Sequence, residues 1–144
     1  MNLSLSPNLF LLSLPVAAFW VYVPYLVVAL ARVRLAQSLD DPMEAFAKPR
    51  ALSDRLPDYA RRANWAHQNS LESFPLYAAA AIAAYLAALD STVAYGAVAA
   101  YLIARLLFCG FYILNIPPLR SLMFGVGSLS IFGLYIMSCK ALWF

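Results

Sequence analysis

Two stretches of the chain, residues 9–31 and 121–139, carry no Asp, Glu, Lys or Arg, and each can cross roughly 30 Å of hydrocarbon as a helix. Between them, residues 73–89 are uncharged up to Asp90, and residues 91–119 are interrupted only by Arg105. The pattern predicts four spans, at about 8–35, 59–89, 91–115 and 118–142, within one domain covering residues 1–144. The expected fold class is all-α integral membrane, a bundle of four transmembrane helices.

Turn chemistry divides the spans. Asp40, Asp41 and Pro42 read as a helix stop and turn, and Pro49 and Pro57 keep the first loop irregular. Pro57-Asp58 marks the start of the second helix, which continues without Gly to Leu89. A helix of about 30 residues is some 45 Å long, more than the hydrocarbon requires, so its first turns project from the membrane. Pro75 is expected to kink it or free a carbonyl near residue 71. Asp90-Ser91 gives a tight connection between antiparallel neighbours, and Pro117-Pro118 closes the third span and lets the fourth begin at once.

A hydrophobic content of 64% with only 12% charged residues excludes an ordinary soluble domain and makes the lipid bilayer the solvent, with no nucleic-acid partner. "MNLSLSPNLF" has no positive n-region, so the first segment reads as a retained helix and not a signal peptide. Cys109 and Cys139 fall inside spans, where packing is the expected role. Arg32, Arg34, Lys48, Arg50, Arg55, Arg61 and Arg62 all lie between spans one and two, which predicts that residues 36–57 face the cytoplasm and both termini the opposite side. The short loops suggest a bacterial inner membrane.

The polar residues that remain are grouped. On the second helix Arg61, Gln68 and Glu72 lie near one stripe, with Asn69 three residues before Glu72; on the third, Arg105, Phe108 and Tyr112 follow one face; the fourth opens with Arg120-Ser121. With alternating spans all three clusters meet at one membrane depth. Simpler roles exist for each: Arg61 and Arg62 as interfacial anchors, His67 as a hydrogen-bonding residue and not a metal ligand, Tyr112 as a belt aromatic, Glu72 with Arg105 as a structural ion pair. Together, however, they form a pocket with more cationic donors than anionic partners, suited to a small ligand bearing carboxylates and an amine.

The segments that carry these residues, "RRANWAHQNSLESFP" and "RLLFCGFYILNIPPLRS", resemble the two signatures of the MAPEG family, the membrane-associated proteins in eicosanoid and glutathione metabolism, and within it the microsomal glutathione transferases. In the first, an Arg-Ala pair precedes Asn-x-x-Glu; in the second, Arg-x-x-aromatic-x-x-x-Tyr precedes Arg-Ser. The resemblance extends over the whole chain and implies a homotrimer holding glutathione between subunits near the cytoplasmic face. It implies that Asn69 and Glu72 hold the peptide, with Glu72 facing its amine, that Gln68 and Arg34 reach carboxylates, that Arg61 or Arg62 supplies a charge some members carry where Trp65 stands, and that Arg105 shapes the site. Tyr112 would donate to the peptide, and Arg120, with Ser121 beside it, would stabilise the thiolate; no metal is implied. Phe108 and Phe124 replace polar aromatics found in some members, which argues against an eicosanoid substrate.

The resulting expectation is a detoxifying glutathione transferase, with a glutathione-dependent peroxidase as a variant of the same chemistry, acting on a small lipophilic electrophile from the bilayer. The alternative is a non-catalytic membrane scaffold or binding protein with the same fold. Contact between subunits is expected to use the small residues of "YAAAAIAAYLAA".

Overall fold

The computed structural model describes residues 5–40, 42, 43, 47 and 53–143; the expectations that rest on Asp41, Lys48, Pro49 and Arg50 lie outside the described residues. Four long helices follow one another: α1 (Leu5–Ala36), α2 (Asp58–Leu86), α3 (Thr92–Ile113) and α4 (Pro117–Trp143), with one turn of 3-10 helix at Ser53–Arg55 before α2. Among the described residues three of them, α1 over Asn8–Ala36, α3 and α4, are long and apolar enough to cross a membrane. The expected fourth span, α2, is long enough but does not reach that hydropathy, because Arg61, Arg62, Gln68, Asn69 and Glu72 crowd its first half. Like α3, it packs against all three others, so part of its polar surface, Asn69 and Arg62 included, has protein to face.

Each neighbour runs antiparallel to the last. Val28 and Ala31 of α1 pack with Ala60 and Ala63 of α2, while nearer the other end Tyr77 of α2 donates to Ser13 of α1 at 2.6 Å. Halfway between, the carbonyl of Val21 accepts from His67 Nδ1 at 2.8 Å; since a carbonyl cannot donate, that nitrogen carries the proton. His67 is thus the hydrogen-bonding residue expected of it. The core between α1, α2 and α3 is built from Phe10, Ala17, Tyr77, Ala80, Ala81, Ala84, Val98 and Tyr101, with Leu134 of α4, and the Tyr77 and Tyr101 rings stack at 3.8 Å. Ala80, Ala81 and Ala84 are fully buried inside one chain. Of the small residues assigned from the sequence to contacts between subunits, these three instead bring α2 close to its own neighbours.

Helix ends differ from expectation in an instructive way. α2 begins at Asp58 as predicted, after an extended Pro57, and Asp58 pairs with Arg61. It runs unbroken through Pro75 and stops at Leu86, three residues earlier than the apolar run suggests. The stop is a left-handed residue, Ala88 (φ 49°), which lets Leu89 N–H reach the Ala84 carbonyl and Ala88 N–H that of Tyr85. Ser91 then caps α3, its side chain accepting from the Val93 N–H. The α3–α4 connection repeats the device with a better residue: Asn115 (φ 60°) sends Ile116 N–H to the Phe111 carbonyl, and Pro117 opens α4.

Candidate functional site

Ala63, Ala66 and Ser70 form a buried stripe on α2, and the residue beside Ser70, Asn69, lies at its edge, half-buried against α3. There it meets Arg105, which is only 4% exposed although it lies in a membrane-crossing helix. Arg105 Nη2 donates to Asn69 Oδ1 at 3.1 Å and to Ser70 Oγ at 3.2 Å, and the guanidinium lies 4.5 Å from the centre of the Phe108 ring. Hydrogen bonds to a charged donor contribute about 1.5–3 kcal/mol each and a cation–π contact about 0.5–2 kcal/mol, so the buried cation is held without a carboxylate. The ion pair between Glu72 and Arg105 weighed from the sequence does not form; among the described residues the ion pair seen is Arg61 with Asp58.

The tight α3–α4 turn brings Arg120, one turn into α4, back over Tyr112 near the end of α3, with the guanidinium 4.5 Å from the ring centre. Phe108 meets Tyr112 edge-on at 5.4 Å and Phe124 at 6.3 Å, so the order is guanidinium, phenyl, phenol, guanidinium. Aromatic faces fix both arginines in place without cancelling their charge. Arg120 consequently offers its positive charge to a recess of ≈ 250 Å³ lined by Asn69, Phe108, Tyr112, Arg120, Ser121 and Phe124.

A second recess of ≈ 280 Å³ adjoins it along α2 and α4 and shares Asn69 and Phe124. Leu76, Ile131, Phe132 and Tyr135 make it mostly apolar, with Glu72 at its rim. Tyr135 spends its hydroxyl on the Leu76 carbonyl at 3.0 Å, which dries that wall further.

Of the residues singled out in the sequence, Asn69, Tyr112, Arg120 and Ser121 come together in one recess, Arg105 supports it from behind, and Glu72 stands at the adjoining one. Others lie elsewhere in the chain. Arg62 Nε donates to the Ile113 carbonyl at 3.0 Å and so closes the C-terminal end of α3. Arg61 lines a small hollow with Asp54, Asn64 and Trp65, Gln68 is exposed on the outer face of α2, and Arg34 is exposed near the end of α1. Sequence reasoning missed Ser70, whose place on the stripe of Ala63 and Ala66 was the available signal, and the apolar wall of α4, which looks like any lipid-facing helix until α2 is laid against it. Cys109, buried beside Ser70 at 3.6 Å, and exposed Cys139 are both free. Among the described residues no three of His, Cys, Asp and Glu gather as a metal site would require.

The helical bundle thus carries a polar recess that holds Arg120 beside a mostly apolar one, with Asn69 and Phe124 common to both. The MAPEG family model matches residues 12–140, and the chain belongs to that family of membrane proteins of eicosanoid and glutathione metabolism. The family generally uses glutathione and includes glutathione transferases and related enzymes as well as non-enzymatic members. No curated protein and no solved structure matches the chain.

Proposed function

We propose that this protein is a membrane-bound glutathione transferase, with peroxidase activity by the same chemistry, that conjugates or reduces lipophilic electrophiles. The observation that carries the reading is the pair of adjoining recesses: a cationic one holding Arg120 and Ser121, and a mostly apolar one between α2 and α4. Each is smaller than the ~300–1,000 Å³ of most ligand sites, and side by side they reach that size. Glutathione gives up its thiol proton to water, and the Arg120 guanidinium, unable to take that proton, stabilises the thiolate left behind. With a chloronitrobenzene the sulfur attacks the ring carbon, a C–S bond forms, and chloride leaves with its electron pair. With a hydroperoxide, a second glutathione completes the reduction to alcohol, water and glutathione disulfide.

A homotrimer belongs to the same proposal. Gln68 and Glu72 are exposed on the outer face of α2 between Leu71 and Leu76, and no cation pairs with Glu72 among the described residues. An unpaired carboxylate facing hydrocarbon is costly, so a neighbouring copy covers this face and supplies, through Arg34, a charge the recess lacks within one chain. We place the protein in a bacterial inner membrane with residues 36–57 in the cytoplasm. Purified trimer mixed with glutathione should show thiolate absorbance and turn over 1-chloro-2,4-dinitrobenzene. Peptide binding without either signal would mean a non-catalytic binding protein.

A further inference from the structure

Arg105 does not line either recess, yet it touches Asn69, one of the two residues both recesses share. A guanidinium has donors and no acceptor, so the Asn69 atom facing Arg105 must be the side-chain oxygen, whatever the ligand. With one lone pair of that oxygen held by Arg105 at 3.1 Å, the amide NH2 supplies the donors Asn69 has to offer. Rotation of the amide is blocked on chemical grounds, since turning it would set NH2 against a guanidinium buried to 4% exposure. Arg105 is itself held from two further sides, by Ser70 Oγ at 3.2 Å and by the Phe108 ring at 4.5 Å, and its aliphatic stem passes 3.5 Å from where a Cβ on Gly127 would lie. The buried cation therefore has a single seat.

We infer that Arg105 is a positioning residue which, by holding the Asn69 oxygen, makes Asn69 a hydrogen-bond donor at the junction of the two recesses, so that the site takes a ligand presenting a carbonyl or carboxylate oxygen there. The inference rests on the proposed function for the identity of that ligand as a peptide. It goes further in assigning which atom of Asn69 meets it and why. Specificity follows from it: a ligand that sets a donor, such as an ammonium, against the Asn69 NH2 meets no acceptor there and leaves two N–H groups facing each other.

The test uses the full-length protein in detergent with two probes, glutathione and the thiol-free peptide γ-glutamyl-seryl-glycine, by calorimetry. Asn69→Asp keeps the shape and gives Arg105 a stronger partner, so the melting temperature should hold or rise, while affinity for both probes should fall by at least about tenfold because a carboxylate cannot donate. A purely structural Asn69 predicts the same melting temperature with affinity unchanged, and unchanged affinity in a folded Asn69→Asp protein overturns the inference. The second arm needs no acidic variant. Arg105→Lys should weaken peptide binding in the wild-type background and cost nothing further in Asn69→Ala, as expected when one residue acts through the other. Equal losses in both backgrounds overturn the positioning role. If the serine peptide obeys this pattern while glutathione shows neither thiolate nor turnover, the proposed catalysis fails and the inference stands; if neither peptide binds the wild type, both fail.

Discussion

Replacing Arg120 by Leu removes the cation proposed to sit at the glutathione sulfur and leaves a shorter, apolar side chain. The expected size follows from where the guanidinium lies. It is half-buried at the mouth of the polar recess, 4.5 Å from the Tyr112 ring centre, with aromatic and not carboxylate neighbours. Two unit charges about 4 Å apart interact by ~4 kcal/mol at an effective dielectric of ~20 and by ~1 kcal/mol in water, and a half-exposed group falls between them. That corresponds to a thiol pKa lowered by about 1–3 units from its free value of ~8.5. A depressed thiol pKa gives a thiolate that is present above the lowered value and lost as pH falls through it. In Arg120→Leu the onset of thiolate absorbance should therefore move up by about 1–3 pH units, with turnover of 1-chloro-2,4-dinitrobenzene moving with it. Peptide affinity should fall less, because the interaction matters mainly after ionisation. Ser121→Ala should cost less on all counts, a hydroxyl being a weaker partner for negative charge than a guanidinium. If Ser121→Ala abolishes the thiolate while Arg120→Leu retains it, the activating group has been assigned to the wrong neighbour.

Glu72→Gln should weaken glutathione binding by roughly 1.5–3 kcal/mol by calorimetry while the bound thiol still ionises, since it removes a charge from the amine and not from the sulfur. Mass measurement in detergent should give three copies, and a stable monomer that binds glutathione would exclude a site between subunits. Tyr77→Phe should lower stability by about 0.5–1.5 kcal/mol in thermal unfolding, because it deletes the buried bond to Ser13 while keeping the ring stacked on Tyr101. Ala88→Gly should raise stability by up to about 1 kcal/mol, as it relieves a left-handed residue that now carries a Cβ. Labelling of Ser38→Cys in intact cells should require permeabilised membranes if residues 36–57 are cytoplasmic.

The placement of the helices was readable because charge interrupts hydrocarbon so visibly: Asp58, Asp90 and the Pro117-Pro118 pair lie within a few residues of real helix ends. What periodicity misjudged was α2, where Ala80, Ala81 and Ala84 look equally suited to a lipid-facing, an intersubunit or an intrachain surface. Only packing against Phe10, Tyr101 and Leu134 decides among these. The site was legible to the extent that its residues share a stripe. Asn69, Tyr112, Arg120 and Ser121 converge because antiparallel helices bring the end of one level with the start of the next. Arg62 could not be placed this way, for its destination is a backbone carbonyl 51 residues along the chain, and carbonyls leave no mark in a sequence. Nor could the aromatic partners of Arg105 and Arg120 be told from packing residues, since Phe108 and Tyr112 fill both roles at once.

The left-handed turn at Asn115 has a consequence for how this chain tolerates change. Tyr112 and Arg120 are only eight positions apart, and the reversal between them is closed by the bonds of Asn115 and Ile116 to the last turn of α3. A helix advances by about 100° and 1.5 Å per residue, so one residue inserted or deleted within α4 before Arg120 swings the guanidinium more than a quarter-turn away from the phenol and turns Ile131 and Leu134 out of the core by the same angle. Such a protein would remain apolar enough to insert, and only a compensating change in the turn at Asn115 would restore both contacts. The spacing between these two side chains is thus a phase, and the recess and the core of the bundle are set by the same one.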